Sequence, residues 1–233
     1  AAALNAQLEQ MVRGWLPEVE AALARHGGDA GRAAALAARF APLLPANYRN
    51  SYSADEAALD IMHLRDLDAT THPRAVRLVR HTLDGNDELR LKVYSAAGPL
   101  ALSDVVPALE HFGFEVLEEI PTEVARAHGG EGEEGQSAFI HDFSLRLPPS
   151  VDALTLIPYA ETIEGAIAAV LDGRAENDAF NQLVLVNQMD PQAIVWLRAW
   201  FRYLRQGGAS YGLDTVVAAL RHAPALTAAL VEL

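Results

Sequence analysis

The chain has 233 residues, of which 51% are hydrophobic and none is cysteine, and 31 acidic residues against 18 basic ones give a formal net charge of −13. This length allows one or two domains with a real core. The lack of cysteine excludes a disulfide framework and thiolate chemistry. The negative charge disfavours nucleic-acid binding, because it repels phosphate backbones. We expect no membrane span and no signal peptide, and therefore a cytoplasmic protein.

The N-terminal residues are alanine-rich and show the spacing of amphipathic helices. Apolar residues recur at steps of three and four from Leu4 to Trp15 and beyond, and a second helical stretch covers residues 30–40. Pro17 interrupts the first stripe, so we expect a helix to kink or to start there. These features predict an N-terminal helical segment over residues 1–52.

The central residues 53–150 alternate between strand and helix patterns. Ser53 begins a helix, and Glu56 stands three residues later, where it completes a capping box. Period-two alternation then predicts four strands, and a helical stretch that ends at Gly113 separates the second strand from the third. The strands are expected at residues 74–82, 89–95, 114–124 and 138–147.

The connections between these strands predict their order in the sheet. Short connections pair the first strand with the second and the third with the fourth, and the helix makes a crossover. The expected order is first, second, fourth, third. The fold class is therefore α+β, a ferredoxin-like four-stranded antiparallel sheet with helices, flanked by N- and C-terminal helical segments. The acidic, glycine-rich residues 128–135 are predicted to form a mobile hairpin loop, since they lack the lysine of a P-loop.

The C-terminal residues 151–233 are predicted to be helical. Asp190-Pro191 is a strong helix start, with Asp as N-cap and Pro at the first helical position. The expected helices cover residues 158–171, 178–188, 191–206, 215–221 and 224–233. The chain starts at Ala1 rather than at a methionine and ends within a helical pattern, which favours a piece excised from a longer protein.

No catalytic constellation is visible in the sequence. The eight histidines include no HExxH or HxH pair, and the nucleophile elbow and the dinucleotide fingerprint are both lacking. His141-Asp142 looks like the dyad of metal-dependent phosphohydrolases, but that dyad belongs on a helix and these residues alternate as a strand. A hydrolase that uses His141 and Asp142 remains one hypothesis, although no catalytic or metal-binding residue is assigned.

The helix predicted over residues 191–206 carries an arginine stripe and two apolar sides. Arg198, Arg202 and Arg205 are candidates for an interaction face that grips a phosphate or an acidic partner. A solvated face and pairing within the chain are the alternatives. A helix that is apolar on two sides needs cover on both, and we expect part of that cover to lie outside this sequence.

The turn between the second strand and the central helix is the most specific local feature. Glycine at position 98 lets backbone N–H groups point at a ligand near a helix N-terminus, which favours carboxylates. Gly98, Pro99 and Leu100 are therefore the candidate effector-binding residues, and an ordinary turn is the alternative.

Several long stretches resemble the large bacterial NAD-specific glutamate dehydrogenases. They are residues 91–113, from Leu-Lys-Val-Tyr-Ser to His-Phe-Gly; the Ile-His-Asp-Phe of residues 140–143; the Pro-Ala-Asn-Tyr of residues 45–48 with the helix over residues 57–61; and residues 197–206. The resemblance covers nearly the whole chain and keeps the family's order.

The resemblance implies a very long parent chain with several ACT-like domains, modules that commonly bind amino-acid effectors. Its catalytic lysines and nucleotide fold lie elsewhere, so no catalytic residue transfers to this sequence. Only residues 98–100 map onto the ACT ligand loop, and strand 74–82 takes the place of the usual last ACT strand.

We therefore expect a non-catalytic regulatory or oligomerisation region of a glutamate dehydrogenase, with no cofactor of its own and NAD in the parent enzyme. Its partners would be the parent's other domains, further copies of itself and an amino-acid effector, with no nucleic acid and no membrane. The alternative is a free-standing ACT-like module for amino-acid sensing or protein interaction. The expected domains are residues 1–52 (helical), 53–150 (ACT-like) and 151–233 (helical).

Overall fold

The structure is a computed structural model that describes residues 14–27, 29–69, 73–80, 88–125 and 137–232. The predicted helical stripe before residue 14 and the predicted loop at 128–135 lie outside the described residues. The described part divides into two compact units. The first draws its residues from Ala1–Pro73, Tyr94–Pro99 and Pro121–Ile140, and the second from Arg74–Val93, Leu100–Ile120 and His141–Leu233.

The first unit is built mainly from small-residue helices. They are α1 (Trp15–Gly27), α2 (Ala30–Phe40), α3 (Ala46–Ser51) and α4 (Ala54–Ala69), with a 3-10 turn at Ala41–Leu43. Helix α1 packs against α2 and α4, and buried alanines on all three helices allow close approach of their backbones. Helix α4 starts as predicted, because the N–H of Glu56 donates to Ser53 Oγ at 3.2 Å.

The four strands form one sheet in the order β1-β2-β4-β3, as the sequence predicts. They are β1 (Arg74–Val79), β2 (Glu88–Ser95), β3 (Glu115–Val124) and β4 (Ala138–Arg146), and α5 (Leu102–Phe112) connects β2 to β3. Helix α5 ends at Gly113, which adopts the left-handed conformation (φ +98°) that favours glycine. The predicted antiparallel α+β architecture is therefore confirmed.

The second unit surrounds one apolar core. Strand and helix residues such as Leu91, Leu109 and Phe143 are fully buried there, together with the inner faces of the C-terminal helices. Those helices are α6 (Ala153–Leu156), α7 (Ala160–Leu171), α8 (Gln182–Val186), α9 (Pro191–Gln206), α10 (Leu213–His222) and α11 (Pro224–Val231), with 3-10 turns at Ile157–Tyr159 and Ala179–Asn181. The expected single helix over 178–188 is thus a 3-10 turn followed by the short α8.

Helix α7 closes the β1 edge of the sheet. The N–H of Leu78 on this edge strand donates to Glu164 Oε1 at 2.7 Å, which satisfies a group that would otherwise invite another strand. Burial raises the pKa of Glu164, while the hydrogen bond from Leu78 acts in the opposite direction.

The stretch Ala153–Leu171 is long and apolar enough to cross a membrane by length and composition. This differs from the expectation that no such stretch exists. The stretch is broken by the 3-10 turn at Pro158, carries Glu161 and Glu164, and buries Leu156 and Ile167 among others in the core. Only part of the stretch lies in the core, since Leu154 is 51% and Ile157 is 61% exposed.

Candidate functional site

The predicted effector turn is stabilised by a hydrogen bond from one of its own side chains. Ser95 Oγ donates to the carbonyl oxygen of Gly98 at 2.7 Å, and Gly98 has φ +102° with open space where a Cβ would stand. Glycine is therefore required here by backbone conformation and not by crowding. Pro99 is exposed and Leu100 is half-buried. Helix α5 follows with Ala101 at its N-cap and no side-chain cap.

A buried histidine accepts a hydrogen bond from the backbone N–H at the end of this turn. The N–H of Leu100 donates to Nε2 of His141 at 3.2 Å, so Nε2 carries no proton. The other ring nitrogen, Nδ1, then carries the proton and donates to Glu119 Oε1 at 2.8 Å. The bonded chain Leu100–His141–Glu119 fixes one imidazole tautomer. An effector carboxylate cannot use the Leu100 N–H while this bond is made.

Asp142 forms its hydrogen bond with a different residue from the partners of His141. Its carboxylate accepts from Nε of Arg90 at 2.9 Å, and its side chain is 1% exposed. Neighbouring residues on a strand point to opposite faces, so His141 and Asp142 cannot converge on one metal ion. Among the described residues, no group of three or more His, Asp or Glu side chains could hold a metal. The geometry gives the hydrolase hypothesis no support.

The three arginines of α9 do not form one exposed face. Arg198 is 4% exposed, and its Nε and Nη2 grip both carboxylate oxygens of Asp178 at 2.7 and 2.8 Å. Nη2 also donates to Asn181 Oδ1 at 3.1 Å. The guanidinium of Arg198 therefore links α9 to the loop before α8.

The other two arginines are exposed. Arg202 pairs with Glu176, and this carboxylate raises the pKa of the Arg202 guanidinium. Arg205 Nη1 donates to the carbonyl oxygen of Tyr211 at 3.4 Å. Pairing within the chain, the alternative drawn from the sequence, therefore accounts for Arg198 and Arg202.

A buried carboxylate in the first unit was not singled out by the sequence analysis. Asp60 of α4 is fully buried and accepts from two tyrosine hydroxyls, from Tyr94 at 2.7 Å and from Tyr48 by a very short bond. The ring of His63 stacks on Tyr94 at 4.8 Å. Burial, followed by the negative charge of Asp60, raises the pKa of Tyr48 far above its usual range.

The position of Asp60 in the sequence could have indicated this buried hydrogen-bond network. Asp60 stands on the inward stripe of α4, between Ala57 and Leu64, where a charged residue needs partners. The partners lie 12 and 34 residues away in sequence, which explains why local spacing did not reveal them.

The fold and the turn define a class of protein: an ACT-like α+β domain set between helical segments. Family models agree with this class and divide the chain further. Residues 73–156 match the ACT3 domain of glutamate dehydrogenase, residues 22–67 match its helical motif 2, and residues 175–233 match its helical motif 3. Helix α4 falls mainly within helical motif 2, whereas the sequence analysis grouped it with the ACT-like domain.

The relatives carry the same family name. The chain is 32% identical over 219 residues to the NAD-specific glutamate dehydrogenase of Pseudomonas aeruginosa. The aligned residues cover 94% of this chain and 13% of the relative. It is 32% identical over 230 residues to that of Halomonas elongata (99% of this chain, 14% of the relative). The Mycobacterium tuberculosis enzyme is 29% identical over 230 residues (97% and 13%).

The chain therefore belongs to the family of large NAD-specific glutamate dehydrogenases and spans 13–14% of the length of these relatives. It corresponds to the stretch that holds helical motif 2, the ACT3 domain and helical motif 3.

Proposed function

We propose that this chain is a non-catalytic regulatory and oligomerisation region of a large NAD-dependent glutamate dehydrogenase. In this proposal the parent reaction, oxidative deamination of L-glutamate to 2-oxoglutarate, takes place elsewhere in the parent chain. The observation that carries the proposal is the succession of three family models, two helical motifs around an ACT domain, over most of the chain. The partners are the parent's other domains and further copies of the same chain. Cytoplasmic location is part of the same proposal.

NAD is assigned to the parent and not to this region. The turn from β2 into α5 resembles the position where a dinucleotide fold places its phosphates, but it carries one glycine, Gly98, instead of three. The Leu100 N–H, which such a site would aim at a phosphate, donates to His141. The residues of this turn therefore do not fit a dinucleotide, and no step of the parent reaction is routed through them.

The regulatory part of the proposal is an amino-acid effector at Gly98, Pro99 and Leu100. Two observations support it: Gly98 holds the left-handed conformation, and helix α5 starts without a side-chain cap. An effector carboxylate would accept from the first N–H groups of α5, where the helix dipole favours negative charge. Because the N–H of Leu100 already donates to His141, an effector would bind through the backbone N–H groups on either side of Leu100.

A thermal-shift titration of the 233-residue chain with individual amino acids, 2-oxoglutarate and NAD tests the effector. A ligand at 100 times its dissociation constant stabilises the fold by about 2.7 kcal/mol, which is a readily measured rise in Tm. We expect one amino acid to raise the Tm and Gly98→Val to abolish the rise, because valine resists the left-handed backbone.

Gly208→Val is the matched control for this titration. Gly208 also has a positive φ (+95°) and open space around its Cβ direction, but it follows α9. This variant should keep the ligand response despite similar backbone strain. If no amino acid raises the Tm of the chain, the proposed effector site is contradicted. The proposed role in oligomerisation is not affected by that result. A rise in Tm with NAD contradicts the placement of the cofactor.

A further inference from the structure

His141 accepts a hydrogen bond that the carboxylate of an effector would otherwise accept. The proposed effector turn offers backbone N–H groups to a carboxylate, but the N–H of Leu100 donates to Nε2 of His141 at 3.2 Å. The imidazole therefore takes the place of a ligand oxygen at this donor. His141, Leu100 and Glu119 all belong to the second unit, so the contact lies within one compact body.

The protonation state of the imidazole decides whether this contact can exist. In the neutral form Nε2 accepts from Leu100, while Nδ1–H donates to Glu119 Oε1 at 2.8 Å. A further proton can bind only at Nε2, because Nδ1 already carries one. The new Nε2–H would face the N–H of Leu100, and two donors cannot bond to each other. Protonation of His141 therefore releases the N–H of Leu100.

The charged groups around His141 favour its cationic form when a carboxylate is also bound. Glu119, on β3, faces Nδ1 and forms an ion pair with the imidazolium. Asp104, in the first turn of α5, is exposed, so solvent screens its charge. Asp142 points to the opposite face of the sheet and pairs there with Arg90 of β2. The protonated Nε2–H needs an acceptor in place of the Leu100 N–H, and a carboxylate supplies one.

We propose that His141 is a proton-linked switch of the effector turn. Neutral His141 holds the Leu100 N–H, so a carboxylate finds only the neighbouring N–H groups. Protonated His141 frees the Leu100 N–H and adds its own Nε2–H, and one carboxylate can accept from both. One proton from solvent binds at Nε2, and no covalent bond between heavy atoms changes. This inference rests on the proposed effector at residues 98–100 and states how that site is regulated.

Thermodynamic linkage gives the sign of the pH dependence. If a proton on His141 strengthens carboxylate binding, a bound carboxylate strengthens proton binding by the same factor. Affinity for the effector therefore rises as the pH falls from about 8 to about 5, the range in which histidines commonly change charge. The effector's own carboxylate stays ionised over this range, so its charge does not produce the effect.

Isothermal titration calorimetry of the 233-residue chain tests the switch. The probes are the natural amino acids other than histidine, each at about pH 6 and about pH 8, on either side of a typical histidine titration. We expect an amino acid that binds to do so about tenfold more tightly at the lower pH. Binding at that pH should take up a proton, measured from the heats in buffers of different ionisation enthalpy.

His141→Phe separates the switch from a merely structural role. Phenylalanine neither accepts from Leu100 nor takes up a proton, so the affinity should no longer depend on pH. At about pH 8 the variant should bind more tightly than the natural chain, because the Leu100 N–H is free of its acceptor. A merely structural role predicts the opposite, a loss of binding at both pH values. Far-UV circular dichroism without ligand establishes that the variant is folded.

His111→Phe is the matched control at the other end of α5. Nδ1 of His111 shares a hydrogen bond with Asn177 Oδ1 at 2.8 Å, away from the effector turn. This variant should keep both the pH dependence and the proton uptake of the natural chain. If His141→Phe does not fold, the proton uptake of the natural chain still decides, since that measurement needs no variant.

The outcomes separate this inference from the proposed function. An amino acid that binds equally at both pH values, or without proton uptake, overturns the switch but keeps the effector. Loss of binding by a folded His141→Phe variant also overturns the switch and keeps the effector. A chain that binds no amino acid at either pH overturns the switch and the effector together, and the proposed role in oligomerisation is unaffected.

Discussion

Replacing Asp60 with alanine should lower the free energy of unfolding by about 3–5 kcal/mol. The substitution leaves two buried tyrosine hydroxyls, those of Tyr48 and Tyr94, without their shared acceptor. Each unsatisfied hydroxyl costs about 1–3 kcal/mol, and the lost carboxylate volume adds a small cavity. Urea or thermal unfolding followed by circular dichroism measures the change.

Asp66→Ala is the control on the same helix. Its carboxylate pairs with the adjacent Arg65 and its side chain is 59% exposed, so the expected change stays within about 0.5 kcal/mol. Tyr94→Phe and Tyr48→Phe should each cost less than Asp60→Ala, since they remove one hydrogen bond and leave the other. A double-mutant cycle between Asp60 and Tyr94 that returns no coupling would contradict the network.

The same network predicts a loss of stability at alkaline pH. The pKa of Tyr48 is higher in the folded chain than in the unfolded chain, where it is about 10. The folded state therefore holds its proton more tightly, and this contribution to stability falls as the pH rises above about 10. Tyr48→Phe should reduce the slope of stability against pH in that range, and an unchanged slope would contradict the assignment.

Arg198→Ala is expected to cost about 2–4 kcal/mol. It removes the guanidinium donor to Asp178 Oδ2 and to the buried Asn181 oxygen, while Asp178 Oδ1 keeps the N–H of Phe180. It also removes the guanidinium from the face of Phe180, 5.8 Å away. The upper end of the usual range for a buried pair is not reached, because Asp178 is 22% exposed and regains some water. Chemical unfolding of the second unit's helices, followed by circular dichroism, measures the loss.

Arg202→Ala, one turn further along α9, is the matched control. This arginine and its partner Glu176 are both exposed, so no measurable loss of stability is expected. Equal losses from the two arginine variants would show that Arg198 is not the anchor of α9.

The sheet could be predicted from the sequence because its signals are local. Strand alternation, short connections and the glycine at position 113 together give the observed order β1-β2-β4-β3. The start of α9 was equally predictable, since Asp190 accepts from the N–H of Gln192 at 2.7 Å as an N-cap should. Strand alternation also indicates that His141 and Asp142 point apart, as their separate partners show.

The buried polar contacts could not be predicted in the same way. For Arg198 the sequence left pairing within the chain open but could not identify the partner, because Asp178 lies 20 residues upstream, beyond any helical spacing. The engagement of Leu100 by His141 joins positions 41 residues apart. Such pairs depend on tertiary packing, and they decide which groups of the turn and of α9 are available to a ligand or partner.

The central proposal is that this region is a non-catalytic part of a large NAD-specific glutamate dehydrogenase. Its most direct test is the rate of NADH formation from L-glutamate and NAD by the purified 233-residue chain, beside the full-length Pseudomonas aeruginosa enzyme at equal molar concentration. We predict NADH formation by the full-length enzyme and none by the chain. NADH formation by the chain alone would contradict the claim.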